Sequence, residues 1–219
     1  MIARSRRMPT EQVWTVYGVP GWGSTLAEAM LACCGVTPHI EDVSGFDTPG
    51  EARERLLRVN PLAQVPTVVT PEGVAISESG AITLLLAERF PQSDLAPAAG
   101  SRDRAAFLRL LFRLTSAVYP TFTYADYPER WVSGEGALLR ERVAEYRRSL
   151  WKAIDQVAER PWALGESFSA IDIFIMVMTR WSPGRGWFAG ECPRLHAIAE
   201  GAERRPFLAA VISRNFPSS

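Results

Sequence analysis

Residues 60–79 read Asn60-Pro61-Leu62-Ala63-Gln64-Val65-Pro66-Thr67-Val68-Val69-Thr70-Pro71-Glu72-Gly73-Val74-Ala75-Ile76-Ser77-Glu78-Ser79. Two short β-rich runs, Thr67 to Thr70 and Val74 to Ser77, flank Pro71-Glu72-Gly73. β-branched residues on either side of a turn-forming Pro and Gly predict a hairpin. Pro66 stands just before the first run, where the start of a strand tolerates proline. An apolar helical run follows from Ala81 to Phe90, and Ser79 stands where its N-cap is expected. The stretch therefore predicts an X-Pro junction, a hairpin, and a helix with an acid and a hydroxyl on its lip.

Working outward, Val13 to Tyr17 predicts a short strand, and Gly18 to Gly23 a glycine-rich turn. Ser24 or Thr25 can cap a helix over Leu26 to Cys34, which Gly35 ends. Thr37 to Val43 contains a second strand, and Glu51 to Val59 a charged helix. The order βαβαββα predicts a mixed four-stranded sheet with helices packed on it, over residues 13–90. Residues 91–101 read as a linker, and beyond Arg102 no strand is expected. Residues 102–219 predict an all-α part, with Pro120 breaking or kinking its first helix. Ile171 to Arg180 is apolar nearly all round and should be buried. Before it, Phe168-Ser169-Ala170-Ile171-Asp172-Ile173 predicts a capping box stapled by Phe168. Asp172 is thereby assigned to folding.

The chemistry expected near residue 65 follows from the layout. A cis Val65-Pro66 bond would present the N–H and C=O of Val65 to an extended peptide, as one more strand would. The helix start at Ser79 favours a carboxylate. Glu78 beside it can hold an ammonium group. A ligand with a peptide backbone at one end, and an ammonium and a carboxylate at the other, fits all three features. The γ-glutamyl end of glutathione is such a ligand.

Asn60-Pro-x-x-x-Val65-Pro66, the hairpin, and Glu78-Ser79 before a helix resemble the glutathione site of the cytosolic glutathione transferases. The resemblance spans about residues 13–215, and the Ser169-x-x-Asp172 capping box is similar to that of the family's central buried helix. It implies an α/β thioredoxin-like domain followed by an all-α helical domain, with glutathione as co-substrate. It implies glutathione contacts at Gln64, Val65, Pro66, Glu78 and Ser79. It also implies a homodimer.

Such chemistry needs a group that lowers the pKa of the thiol, because the thiolate is the nucleophile. The turn after the first strand offers Tyr17, Ser24 and Thr25. Pro20-Gly21-Trp22-Gly23-Ser24 is similar to the loop of bacterial classes that carry Pro-Gly-x-Cys-Ser, with Gly23 at the place of the cysteine. Ser24 is the first candidate for the activating hydroxyl and Tyr17 the second. Trp22 is expected to line or cover the site. Tyr119, Phe122 and Tyr124, with Tyr127 and Trp131, can form an apolar wall for a second, electrophilic substrate. A catalytically silent module acting through protein partners is the rival reading, and a glutathione-dependent isomerase or peroxidase a third.

Composition narrows the remaining classes. The chain has 219 residues, 47% of them apolar and 22% charged, with a formal net charge of zero. That balance lacks the basic face nucleic-acid binding requires. The longest strongly apolar run, Ile173 to Met178, is too short to span a bilayer. Cys33, Cys34 and Cys192 form no disulfide framework, no Cys-x-x-Cys pair and no metal pattern, and a reducing, cytoplasmic setting follows. Cys33 and Cys34 read as small core filler. The first ten residues, with three arginines, contain no signal-like apolar stretch and read as a leader or an uncertain start.

Overall fold

The computed structural model describes residues 13–217, so the reading of the first ten residues lies outside it. Four strands form one mixed sheet in the order β2-β1-β3-β4. They are β1 (Thr15–Gly18), β2 (His39–Asp42), β3 (Thr67–Val69) and β4 (Ala75–Ser77). β1 runs parallel to β2 and antiparallel to β3, and β3 and β4 form the hairpin. The helices between them are α1 (Ser24–Cys33), α2 (Glu51–Leu57) and α3 (Ser79–Arg89).

Register decides which side chains go where. Val16 pairs with Val68, and Val68 with Ile76. Because side chains alternate along a strand, Val16 and Val68 point to one face, where Leu26, Met30, Ile82 and Leu86 of α1 and α3 join them. Tyr17 points to the other face, against Val43, Phe46, Leu56 and Ala63. Burying an aliphatic side chain of this size contributes about 1.5–3 kcal/mol, so the two-sided covering holds the sheet.

After a short 3-10 turn at Pro91–Ser93, the elements of the described part are all helices, with one isolated β-bridge between Trp162 and Gly165. α4 (Arg104–Phe112) runs into a π-helical segment, Arg113–Val118, and then α5 (Tyr119–Asp126). Pro120 therefore does not end this helix. Its ring would collide with the carbonyl four residues back, and the widened π turn just before it relieves that collision. α6 (Gly136–Val157), α7 (Ala170–Met178), α8 (Arg185–Glu191), α9 (Pro193–Glu203) and α10 (Ala209–Asn215) complete the chain. Every residue of α7 is buried, and α7 packs against α1 and α9. The capping box is formed: Ser169 Oγ accepts from Ile171 N–H at 3.2 Å, and Asp172 Oδ2 accepts from Ser169 N–H at 2.8 Å. Asp172 Oδ1 also accepts from Ala163 N–H at 2.8 Å. Phe168 packs edge-on against Trp162 and Phe207.

Candidate functional site: the cavity between sheet and helices

A cavity of about 630 Å³ lies between the sheet and α5. Asn60, behind the lining residues, braces the segment from Leu62 to Thr67. Its buried side chain donates to Thr67 Oγ1 (2.9 Å) and to Gln64 O (3.2 Å), and accepts from Leu62 N–H (3.0 Å). The Gln64 carbonyl is thereby satisfied, and the next residue is left over. Among the described residues, neither the N–H nor the C=O of Val65 has a hydrogen-bond partner. The Val65-Pro66 bond is cis, and both residues line the cavity together with Gln64.

Glu78 and Ser79 form the adjoining wall. Glu78, not Ser79, is the N-cap of α3, because Ile82 N–H bonds to the Glu78 carbonyl at 2.9 Å. Glu78 adopts φ +66°, a conformation side chains rarely take, and no side chain caps the helix. Ser79 is the first helical residue, nearly buried, and its hydroxyl lies at the positive end of an eleven-residue helix. Glu78 is exposed and has no ion-pair partner among the described residues. The wall thus offers unpaired amide donors for an anion beside a free carboxylate for a cation.

The loop after β1 is locked from the helical side. Trp181 Nε1 donates to Gly21 O at 2.8 Å, and Gly21 N–H donates to Asn215 Oδ1 at 3.1 Å. Asn215 Oδ1 also accepts from Thr25 Oγ1 at 2.9 Å. Ser24 does not face the cavity. It is fully buried, its Oγ accepts from Val19 N–H and donates to Val19 O, both at 3.0 Å, and its proton is used within the loop. Only a glycine at position 18 allows this, since a Cβ there would stand 2.4 Å from Ser24 Oγ. Tyr17 also lies outside the cavity, in the cluster beneath α2. The structure therefore places neither expected hydroxyl among the residues that line the cavity. In each case the side chain is consumed by packing or by closing its own loop.

The apolar wall comes from α5 and its surroundings. Tyr119, Phe122, Tyr124, Tyr127 and Trp131 all line the cavity, and Trp22 faces them from the loop. Trp22 is 42% exposed and packs edge-on against Phe46 at 5.7 Å. Trp181 packs edge-on against Tyr119 (5.7 Å) and Phe122 (5.1 Å), fixing both rings. The guanidinium of the buried Arg147 sits over the Phe122 ring, 4.3 Å from its centre. At the mouth, Tyr127 donates to Asp47 Oδ2 at 3.2 Å, tying the helical part to the loop after β2. Burial raises the Tyr119 pKa, and the Glu78 charge adds to the effect, so this phenol stays protonated.

Sequence reasoning missed Trp181, Thr115 and Asn215. Trp181 lies one residue beyond the apolar run Ile171 to Arg180, and no pattern singles it out. Thr115 lines the cavity from within the π turn, a local geometry that helical periodicity does not announce. Asn215 sits in the last turn of α10, 190 residues from the Thr25 it holds, and no local pattern marks such a contact.

A family model described as Glutathione S-transferase, N-terminal domain matches residues 26–89. The GST-like protein YncG of Escherichia coli strain K12, described as uncharacterized, is 43% identical over 201 residues, covering 91% of this chain and 97% of that protein. Among solved structures, a sphingomonad glutathione S-transferase complexed with glutathione is 26% identical with a TM-score of 0.75, covering 93% of this chain and all of the other. A bacterial beta class glutathione S-transferase from Sphingomonas chungbukensis is 25% identical with a TM-score of 0.74, over 93% of this chain. A likeness that runs through both the sheet and the helices, and along nearly the full length of a relative this similar, settles the family: the chain belongs to the glutathione S-transferase superfamily.

Proposed function

We propose that this protein binds glutathione in the cavity between the sheet and α5 and activates its thiol for attack on an apolar electrophile. The observation that carries this is the unpaired backbone of Val65 beside Glu78 and the open amino end of α3, all facing one cavity. The cysteinyl main chain of glutathione pairs with Val65 N–H and C=O as an added strand would. The γ-glutamyl carboxylate takes the Ser79 hydroxyl and the first N–H groups of α3, and Glu78 takes the ammonium. Gln64 and Pro66 shape the edge beside them. Glutathione-bound relatives such as the sphingomonad enzyme support this ligand.

The reaction is a thiol transfer. The S–H proton leaves to solvent, the thiolate forms a C–S bond with the electrophilic carbon, and the leaving group departs with its electron pair. Trp22, Phe122 and Tyr124 hold the electrophile by apolar contact. A silent module that binds glutathione without turnover is the second reading, and the sealed Ser24 hydroxyl is the observation in its favour.

Titration calorimetry with glutathione, followed by conjugation of an activated aryl halide, tests both. Saturable heat and a conjugation rate above the uncatalysed one support the enzyme. Heat without turnover selects the silent module, and absence of heat removes both.

A further inference from the structure

The loop after β1 supplies no reacting group, yet the cavity contains a hydroxyl in the place where one would be needed. A Cβ built on Gly23 would stand 1.8 Å from the Tyr119 hydroxyl oxygen and 3.2 Å from the Val65 carbonyl oxygen. The phenol of α5 therefore fills the volume that a side chain at position 23 would occupy, next to the backbone proposed to hold the cysteinyl residue. Position 23 cannot carry a larger residue while Tyr119 is there. The two positions form one steric unit drawn from opposite sides of the cavity.

The hydroxyl is also chemically free. Among the described residues it has no hydrogen-bond partner, whereas Ser24, Thr25 and Thr83 nearby are each committed. Trp181 against its ring fixes its direction. The π turn sets the register that aims it, with Thr115 of the same turn packed beside Gly80 of α3.

We infer that Tyr119, reaching in from the helical part through the space vacated at Gly23, donates the hydrogen bond that stabilises the thiolate of bound glutathione. This rests on the glutathione site proposed above. The protonated phenol keeps its proton at working pH, because burial and the nearby Glu78 charge both disfavour phenolate. It acts as a donor, and the thiol proton goes to solvent. The α1 amino end, on the same side, adds its positive end to the same sulfur.

The test uses Tyr119→Phe, which keeps the ring against Trp181, and Gly23→Ala, whose methyl displaces the hydroxyl. Three quantities are measured on the full chain: glutathione affinity by calorimetry, the pKa of the bound thiol by thiolate absorbance, and kcat with an activated aryl halide. Tyr119→Phe is expected to leave affinity within about twofold, to raise the thiol pKa by about 1–2, and to lower kcat about ten- to a hundredfold. Gly23→Ala should have similar effects, and the double variant should be little worse than either single one, because both remove the same bond. Binding with unchanged thiol pKa and kcat in Tyr119→Phe overturns the assignment and leaves the glutathione site standing. Fully additive losses in the double variant also overturn it. A parent protein that binds no glutathione overturns the site and the assignment together.

Discussion

Glu78 holds a backbone conformation that costs of order 1–3 kcal/mol for a residue other than glycine, with no side-chain cap in return. Such strain persists where surrounding structure enforces it, and here it turns the carboxylate and the first amides of α3 toward one cavity. Glu78→Ala and Ser79→Ala should each weaken glutathione binding roughly tenfold or more, since hydrogen bonds to charged groups contribute about 1.5–3 kcal/mol. Neither should move the ligand-free melting temperature by much, as neither side chain bonds elsewhere among the described residues. Calorimetry and thermal melts decide this, and unchanged affinity in both variants would sink the site. At this scale the sequence was legible where chemistry was local. Val65-Pro66 before a hairpin and Glu78-Ser79 before a helix were visible as local motifs, and the resemblance gave them a ligand, although the N-cap falls on Glu78 and not on Ser79. Ser24 could not be read this way, because its burial depends on Gly18 leaving room for it and on a bond back to Val19. A serine at a helix start looks the same whether it caps, seals a loop or faces a ligand.

Among the elements, α7 carries the clearest energetic signature. Burial pushes the Asp172 carboxyl up to about 6, although bonds from Ala163 N–H, Ser169 N–H and Ser169 Oγ favour its charged form. A folded-state pKa above the unfolded value means the native state binds the proton more tightly. The stability this lends is complete below about pH 4 and is lost as pH rises through about 6. Asp172→Ala should destabilise the protein, because each buried N–H left unpaired costs about 1–3 kcal/mol. The gap in melting temperature between parent and variant should shrink between pH 4 and 6 and then level off. A gap that widens over that range would contradict the assigned cause. The capping box was legible from Ser169-x-x-Asp172 because both partners are local. The continuity of α4 into α5 was not, because Pro120 predicts a break and only the preceding π turn removes it.

Across the whole molecule, the last helix is wired to the first loop. Asn215 bonds to Gly21 and Thr25, and its amide donates to the Glu28 carboxylate at 3.0 Å, which Arg214 also grips. The cavity therefore depends on residues from both ends of the described chain. Asn215→Ala should lower stability by about 1–3 kcal/mol through the groups it leaves unpaired. It should also weaken glutathione binding severalfold by loosening the loop that carries Trp22. A destabilised variant with full affinity would show that the wiring serves folding alone. The two-part architecture was legible in the sequence, because strand and helix periodicities separate cleanly near residue 100. The closeness of Tyr119 to Gly23, on which the proposed donor rests, was not, since these two distant segments meet only in the fold.

The most direct measurement is a crystal structure of the protein grown with saturating glutathione. The cysteinyl main chain should pair with both backbone groups of Val65, the γ-glutamyl carboxylate should lie at the amino end of α3, and the sulfur should sit within hydrogen-bond reach of the Tyr119 hydroxyl. An empty cavity under those conditions, or a tripeptide bound without Val65, would contradict the account.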